Sequence, residues 1–487
     1  MNFFLNNLRA PTAGLGLFLT TSLLALLSAP LSGLRRLGRG GLKNMTPAEV
    51  VSYWESREGE HEYLKEVLGD KALGWVKGRN THCLESLGDP AKSPLYSKVL
   101  SILDSEEKIP YLRKINDLYY NFWQDSANPR GIWRRTTMDA YLSPATTWET
   151  VLDFDALGKE EGESWVYKGH SVYEPPVRRG ERSQRVERTM MQLSRGGADA
   201  VVMREFDLEK KEFVQKDAFL VPEGKSRVAW MDIDTLLIGT DLKDGQSMTE
   251  SGYPRVMREW KRGTPLSSSK VVFEGEKSDV SVYIPRANSQ MFASPSPIAG
   301  GEQGNEGGQW FQLKVPLDAE VSLFADQLLI QLRSPWTLQP DTTPTPTATT
   351  PYTTYPQGTL LSVDLKDFLE NSWAATFVPM FLPTPTVSLE SYAAMRDFLV
   401  LETLDVVKSR FQFWQYDEED GSWLFAGAEQ GASIRGASLS AIDAHESNQY
   451  WLTSSSFLQP TTLQLGDATQ GPAGVAKVGH AFTQMHT

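Results

Sequence analysis

At 487 residues, the chain is long enough for roughly two or three ordinary domains or one large β domain. A formal net charge of −13, with only short basic clusters such as Arg178-Arg179 and Lys210-Lys211 after residue 45, argues against nucleic acid as a partner. A single cysteine, Cys83, excludes an intrachain disulfide and a Cys-rich zinc site, and base rates make it a buried or neutral thiol rather than a nucleophile.

Residues 1–45 read as a targeting segment. No acidic residue precedes Glu49, Arg9 stands before an uncharged stretch from Ala10 to Leu34, and Arg35, Arg36, Arg39 and Lys43 follow it. Leu15 to Leu27 has the length of a signal-peptide apolar region, while the Arg-rich tail is equally that of an organelle transit sequence. Pro30 and Gly33 argue against a stable membrane span. The expected destination is the secretory pathway or an organelle, and the cytoplasm if the segment does not function.

Residues 46–108 read as a helical lead-in. Thr46-Pro47-Ala48-Glu49 is a helix start, with an N-cap, proline at the first helical position and a glutamate to close a capping box. Tyr63, Val67, Ala72, Trp75 and Val76 then recur at helical spacing, with a break at Gly69-Asp70, and Leu95, Val99, Ile102 and Leu103 form a second stripe. That is too little apolar surface for an independent core.

From residue 109 to 466 the period becomes two. Tyr119 to Tyr141 (YYNFWQDSANPRGIWRRTTMDAY) reads as two aromatic strands about a turn at Asp125 to Gly131, where Asn128 precedes proline and Gly131 can take an unusual backbone angle. A turn with Asp or Asn followed by an apolar strand then recurs: Asn116-Asp117, Asp232 to Asp234, Asp326-Gln327, Arg396-Asp397, and His445 to Thr453. Grouped, these give units near 112–152, 162–214, 226–273, 278–315, 321–363, 390–426 and 440–466. Repeats of about 40–50 residues with about four short strands each predict an all-β, seven-bladed propeller. The 14 tryptophans suit such a fold. The Pro/Thr-rich stretch 339–355 reads as a solvated insertion, Ser294 to Gly308 leaves the fourth unit short of strands, and 467–487 reads as a disordered tail.

The segments Tyr120 to Asp125 (YNFWQD), Pro129 to Thr137 (PRGIWRRTT), Ser194 to Asp199 (SRGGAD), Val202 to Leu208 (VMREFDL), Gly239 to Asp241 and Ser251 to Arg255 (SGYPR) are similar to the amino-terminal half of prolyl-oligopeptidase-like serine peptidases. Gly69 to Val76, Lys408 to Arg410 and Pro460 to Leu463 fall where that family has its lead-in and last blades, so the resemblance covers residues 62 to 466. It implies a seven-bladed propeller that restricts access to an α/β-hydrolase domain, whose Ser-Asp-His triad cleaves short peptides, often after proline.

The catalytic half of that resemblance does not carry over. Ser164, Ser171, Ser226, Ser247, Ser433 and Ser438 each follow a G-x, but none is followed by x-G, as a nucleophile elbow requires. His445, His480 and His486 lie in a blade turn and the tail, and the other histidines, His61, His82 and His170, form no metal-ligand pair. No catalytic residue, cofactor or metal ligand is therefore assigned. The expectation is the access-restricting propeller of a prolyl-oligopeptidase-like peptidase without its hydrolase domain, inactive alone, its partners being short peptides once such a domain is supplied. An exposed apolar face is expected where that domain packs. A stand-alone propeller serving as a binding or scaffold module is the alternative, and a channel enzyme with converging carboxylates or histidines a third.

Overall fold

The computed structural model describes residues 46, 58–66, 69–175, 184–282, 313–316, 318–338, 353–428, 436–474 and 482–483. The targeting segment, most of the Pro/Thr-rich stretch, His480 and His486 lie outside them. Two units divide the chain, residues 1–101 and 102–487.

In the first unit, α1 (Asp70–Leu87) starts at the expected break, with Gly69 as its N-cap, and stops at Gly88. α2 (Pro94–Leu103), which runs across the 101/102 division, carries the second apolar stripe. Leu95, Val99, Ile102 and Leu103 are exposed on it, as are Leu73, Val76, Leu84 and Leu87 on α1. Cys83 is exposed too, which removes burial from the expectation of a buried or neutral thiol; α1 buries only Ala72, so the helix has no interior to hold it.

The second unit is a β-propeller of six blades among the described residues. Blade 1 is β1 (Arg113–Ile115), β2 (Leu118–Trp123), β3 (Ile132–Thr136) and β4 (Glu149–Asp153), with α3 (Met138–Leu142) between the last two. After α4 (Phe154–Glu161), blade 2 holds β5 (Trp165–Val172), β6 (Arg188–Arg195), β7 (Val201–Asp207) and β8 (Glu212–Phe213), with β9 (Leu220–Gly224) also paired to β7. Blade 3 is β10 (Arg227–Asp232), β11 (Thr235–Gly239), β12 (Val256–Lys261) and β13 (Lys270–Glu274).

Blade 4 runs β14 (Glu320–Phe324), β15 (Gln327–Gln331), then past the hairpin β16 (Trp336–Leu338) and β17 (Thr353–Tyr355) to β18 (Leu360–Asp364), α5 (Leu365–Asn371) and β19 (Phe377–Phe381). Blade 5 is β20 (Val387–Ala394), β21 (Phe398–Asp405), β22 (Lys408–Asp417) and β23 (Ser422–Ala428). Blade 6 is β24 (Ala437–Ala441), β25 (Gln449–Ser456), β26 (Gln459–Asp467) and β27 (Phe482–Thr483).

Six blades, not seven, is a correction to the repeat count. The unit expected at 278–315 falls mostly on residues outside the described ones, and the described residues 275–282 and 313–316 form no strand. Its Ser/Pro/Gly run, Ser294 to Gly308, leaves too little strand-forming sequence for four strands. At the other end, the propeller continues past residue 466. Ala468 opens a 3₁₀ turn and is buried between blades 5 and 6, and β27 pairs with β26. A two-residue strand carries no periodic signal in sequence, which is why this stretch reads as a tail.

The hydrophobic core lies between blades, because each sheet has two apolar faces to cover. In β6, the adjacent residues Met190 and Met191 point to opposite sides: Met191 joins Trp133, Trp165 and Phe206 at the blade 1/2 seam, and Met190 joins Phe219, Leu236 and Trp260 at the 2/3 seam. Leu329, Leu399 and Tyr416 fill the 4/5 seam, and Phe411, Phe413, Tyr450 and Leu452 the 5/6 seam. Ile109 and Tyr141 from the start of the unit pack on Trp451, Leu463 and Leu465, so blade 6 meets blade 1.

The aromatic hairpin is as expected: β2 and β3 pair Phe122 with Trp133, and Gly131 has φ +94°. A Cβ there would stand 2.5 Å from Phe122 Cζ, so only glycine lets the turn close on the ring. Tyr141, the end of that stretch, lies in α3 rather than in a strand.

Candidate functional site

In an antiparallel four-stranded blade, the first and third turns lie at one end and the second at the other. The Asp/Asn turns that repeat in the sequence are the first turns of blades 1, 3, 4, 5 and 6, so they share one face of the propeller. Asp and Asn suit them because their side chains bond the backbone two or three residues on. Asp232 Oδ1 accepts from Asp234 N at 2.8 Å, and Asp443 Oδ1 from His445 N at 2.9 Å and Glu446 N at 3.0 Å.

These turns also join neighbouring blades. Asn116 exchanges two hydrogen bonds with the Val186 backbone of blade 2, at 2.9 and 2.8 Å. Asp234 of blade 3 holds Arg262 at 2.8 Å, and Arg262 reaches Glu205 of blade 2 through two bonds of 2.7 and 3.0 Å. Tyr416 of blade 5 donates to Asp326 of blade 4 at 2.7 Å. Burial and that carboxylate push the Tyr416 hydroxyl up from its usual range. Asn448 of blade 6 donates to Asp397 of blade 5 at 2.6 Å and accepts from its backbone N–H at 2.8 Å.

The last of these joints links the first blade to the last. Lys114 on β1 donates to Asp443 Oδ2 at 2.6 Å and Glu446 Oε2 at 3.1 Å, both on the first turn of blade 6. Burial by itself would lower the ammonium's pKa, but the two carboxylates hold it above its usual value. Burial likewise opposes ionisation of Asp443, and Lys114 with the two backbone N–H groups holds it below the ordinary carboxylate range.

This joint borders a cavity of about 550 Å³ where β1, β5 and β24, the first strands of three successive blades, come together. First strands also touch elsewhere in the ring, β5 with β10 and β20 with β24, so they are the innermost strands and the cavity is a mouth of the central channel. Its charged lining is Arg113, Lys114, Asp117, Glu174, Arg185, Asp443 and Glu446. Arg113 pairs with Glu174 at 2.9 Å, and Arg185 with Glu209. The mouth is thus polar, with most of its charges matched in pairs, and suited to binding a polar chain rather than to acid–base chemistry.

Of the residues weighed in the sequence, His445 lies in this cavity wall, its backbone N–H on Asp443. Ser433 lies outside the described residues, and the other G-x-S serines do not line the cavity. Ser226 Oγ is buried on Thr240 Oγ1 at 2.7 Å, Ser247 Oγ is buried on Asp244 at 2.8 Å, and Ser164 accepts from Arg130. Among the described residues, no group of three or more His, Cys, Asp or Glu side chains could hold a metal ion, and no helix is long and apolar enough to cross a membrane. Sequence reasoning missed Lys114, Asp443 and Glu446 as a cluster. Asp443 and Asn116 sit in repeated turns, but nothing in the sequence says that residues more than three hundred positions apart share a seam.

The model of the prolyl oligopeptidase amino-terminal β-propeller domain matches residues 55–292. Residues 55–292 thus match the propeller domain of the prolyl oligopeptidase family. The prolyl oligopeptidase-like chain is 31% identical over 424 residues to a peptidase of Sinorhizobium fredii, covering 84% of this chain and 55% of that protein. It is 26% identical over 383 residues to a peptidase of Rickettsia prowazekii, covering 74% and 50%. The chain therefore spans about half the length of the curated relatives it matches. In fold it is similar to a post-proline cleaving enzyme from Rickettsia typhi, with a TM-score of 0.68 at 23% identity over 84% of this chain and 59% of that one. It is also similar to oligopeptidase B from Leishmania major, with a TM-score of 0.54 at 12% identity over 86% and 55%.

Proposed function

We propose that this chain is the access-restricting propeller of a prolyl oligopeptidase-like serine peptidase that acts on short peptides. The observation that carries the reading is the channel mouth. At about 550 Å³ it falls within the size range of small-ligand pockets, about 300–1,000 Å³, and far below a folded domain. Cross-blade ion pairs at the Lys114 joint hold it at that size. On this reading the cleavage chemistry is supplied by a hydrolase domain, since no G-x-S here continues as a nucleophile elbow and Ser164, Ser226 and Ser247 are engaged with other side chains.

The opposite face supports such a partner. There the second turns of the adjacent blades 5 and 6 expose Val406, Val407, Phe457 and Leu458, the last two more than nine-tenths accessible. Apolar turn tips of this kind mark a surface that packs against another domain. The charge-patterned channel mouth favours a second reading, a binding module in its own right.

A chimera separates the two. This propeller, joined to the hydrolase domain of the Rickettsia typhi enzyme, should cleave a short proline-containing peptide and spare the same bond within a folded protein. Equal cleavage of both would remove the access-restricting role. Failure of the propeller to associate with the hydrolase domain, with peptide binding retained, would leave the binding module.

A further inference from the structure

Blade 1 carries a second polar feature, on the side of its hairpin away from the blade 1/2 core. The Arg134 guanidinium lies between two indole rings, 4.3 Å from the centre of Trp123 and 4.1 Å from that of Trp148. Its Nε donates to Asn121 Oδ1 at 2.9 Å, and the buried Asn121 is itself fixed by donating to the Tyr111 carbonyl at 3.0 Å. One edge of the guanidinium is therefore held in place. Among the described residues Arg134 has no ion pair, and Nε alone of its nitrogens makes a hydrogen bond, so the Nη1/Nη2 edge is open.

The nearby carboxylate does not fill that edge. Asp125 Oδ1 accepts from Ala127 N at 3.0 Å, Asn128 N at 2.8 Å and Asn128 Nδ2 at 2.9 Å, and its Oδ2 accepts from Trp123 Nε1 at 2.8 Å. A second cation stands beside it. Lys108 Nζ is 4.9 Å from the Trp123 ring centre and donates to two backbone carbonyls, Leu103 at 2.8 Å and Gln124, with no ion pair to a carboxylate among the described residues. Burial pushes Arg134 down to about 10, with Asp125 opposing, and lowers Lys108 as well. Arg134 remains charged at neutral pH.

A guanidinium whose open edge presents two parallel N–H donors matches the two oxygens of a carboxylate. Indole walls on both sides lower the local dielectric and so strengthen the pairing. A purely structural arginine would turn such an edge toward a protein acceptor, as Arg262 does toward Glu205. We propose that Arg134, with Lys108 beside it, forms a carboxylate-binding site on blade 1, distinct from the channel mouth and able to take the free carboxyl end of a peptide.

Calorimetric titration of the full chain tests this with four probes: N-acetyl-alanyl-proline as free acid, its amide, acetate and inorganic phosphate. The free acid should bind saturably, the amide at least tenfold more weakly, and binding should weaken as salt is raised. Arg134→Gln should lose at least tenfold in affinity. Arg134→Lys, which keeps the charge and the stacking, should lose the paired donors and weaken binding likewise, and it decides the matter if the glutamine variant does not fold. Acetate binding as tightly as the peptide acid supports the site and assigns recognition to the carboxylate alone. No saturable binding, an amide as tight as the acid, unchanged affinity in a folded Arg134 variant, or preference for phosphate would each overturn the proposal.

Discussion

The seam between blades 2 and 3 and the seam between blades 6 and 1 do the same mechanical task with opposite chemistry. At the 2/3 seam the Glu205 side chain is wholly buried, gripped by Arg262 through both oxygens and by the Phe219 N–H at 2.9 Å, with Arg188 Nε 3.5 Å away. Around it pack Met203, Phe219, Leu236 and Trp260. At the 6/1 seam, Lys114, Asp443 and Glu446 remain partly open to the channel mouth, with 13%, 18% and 32% of their side chains accessible. Chain-adjacent blades can bury a charge network in a continuous core. The closing seam joins residues far apart in sequence and keeps its ions in shared contact with solvent, where pairing costs less desolvation and yields less stability.

The sharpest way to break this comparison is Glu205→Gln. It takes the wholly buried carboxylate from Arg262 and Arg188, each of which keeps a second one in Asp234 and Asp207, and should cost about 3 kcal/mol in urea unfolding, the low end for a broken buried pair. A loss below about 1 kcal/mol would show that the 2/3 network is no stronger than a surface pair. The matching change at the closing seam, Lys114→Met, should cost less, about 1–2 kcal/mol, because its partners can turn to water. If the two losses are equal, burial does not separate the seams.

Acidity separates them further. The raised Lys114 contributes stability that is complete below its ordinary range and is lost as pH rises through its folded value. The lowered Asp443 contributes stability that is complete above the ordinary carboxylate range and is lost as pH falls through its folded value. The 6/1 joint should thus hold between about pH 4 and about pH 10 and loosen outside that window. Hydrogen exchange at the β1 and β25 amides, followed from pH 5 to pH 3, should show this joint opening in the wild type. Lys114→Met should already be open at pH 5.

The smallest effect belongs to the 5/6 seam. Glu402 on β21 accepts from Ser391 Oγ at 2.8 Å, and burial raises its pKa. A raised carboxyl makes the folded state less stable as pH climbs through its titration, the reverse of Asp443. Glu402→Gln should therefore match the wild type at low pH and be the more stable near pH 7, by no more than about 1 kcal/mol. A variant less stable at pH 7 would show that the ionised carboxylate is needed there.

The sequence by itself determined the class of fold, the family resemblance and the limits of blades 1 and 3. The units at 112–152 and 226–273 fall within one residue of the sheets β1 to β4 and β10 to β13. Strand periodicity and Asp/Asn turns are local properties, set by alternating side chains and by a carboxylate bonding the next few amides, so they are written in adjacent residues. The blade count, the strand added by Phe482-Thr483, the exposure of Cys83 and the partnership of Lys114 with Asp443 and Glu446 were decided only by the tertiary structure. Each depends on what the ring brings together: which sheet has an open edge, which helix has an interior, and which blade closes on the first. The same holds for Arg134. The hairpin RRTT announces its place on β3, but Trp148 lies beyond α3, and only the fold of that short helix sets the second indole against the guanidinium.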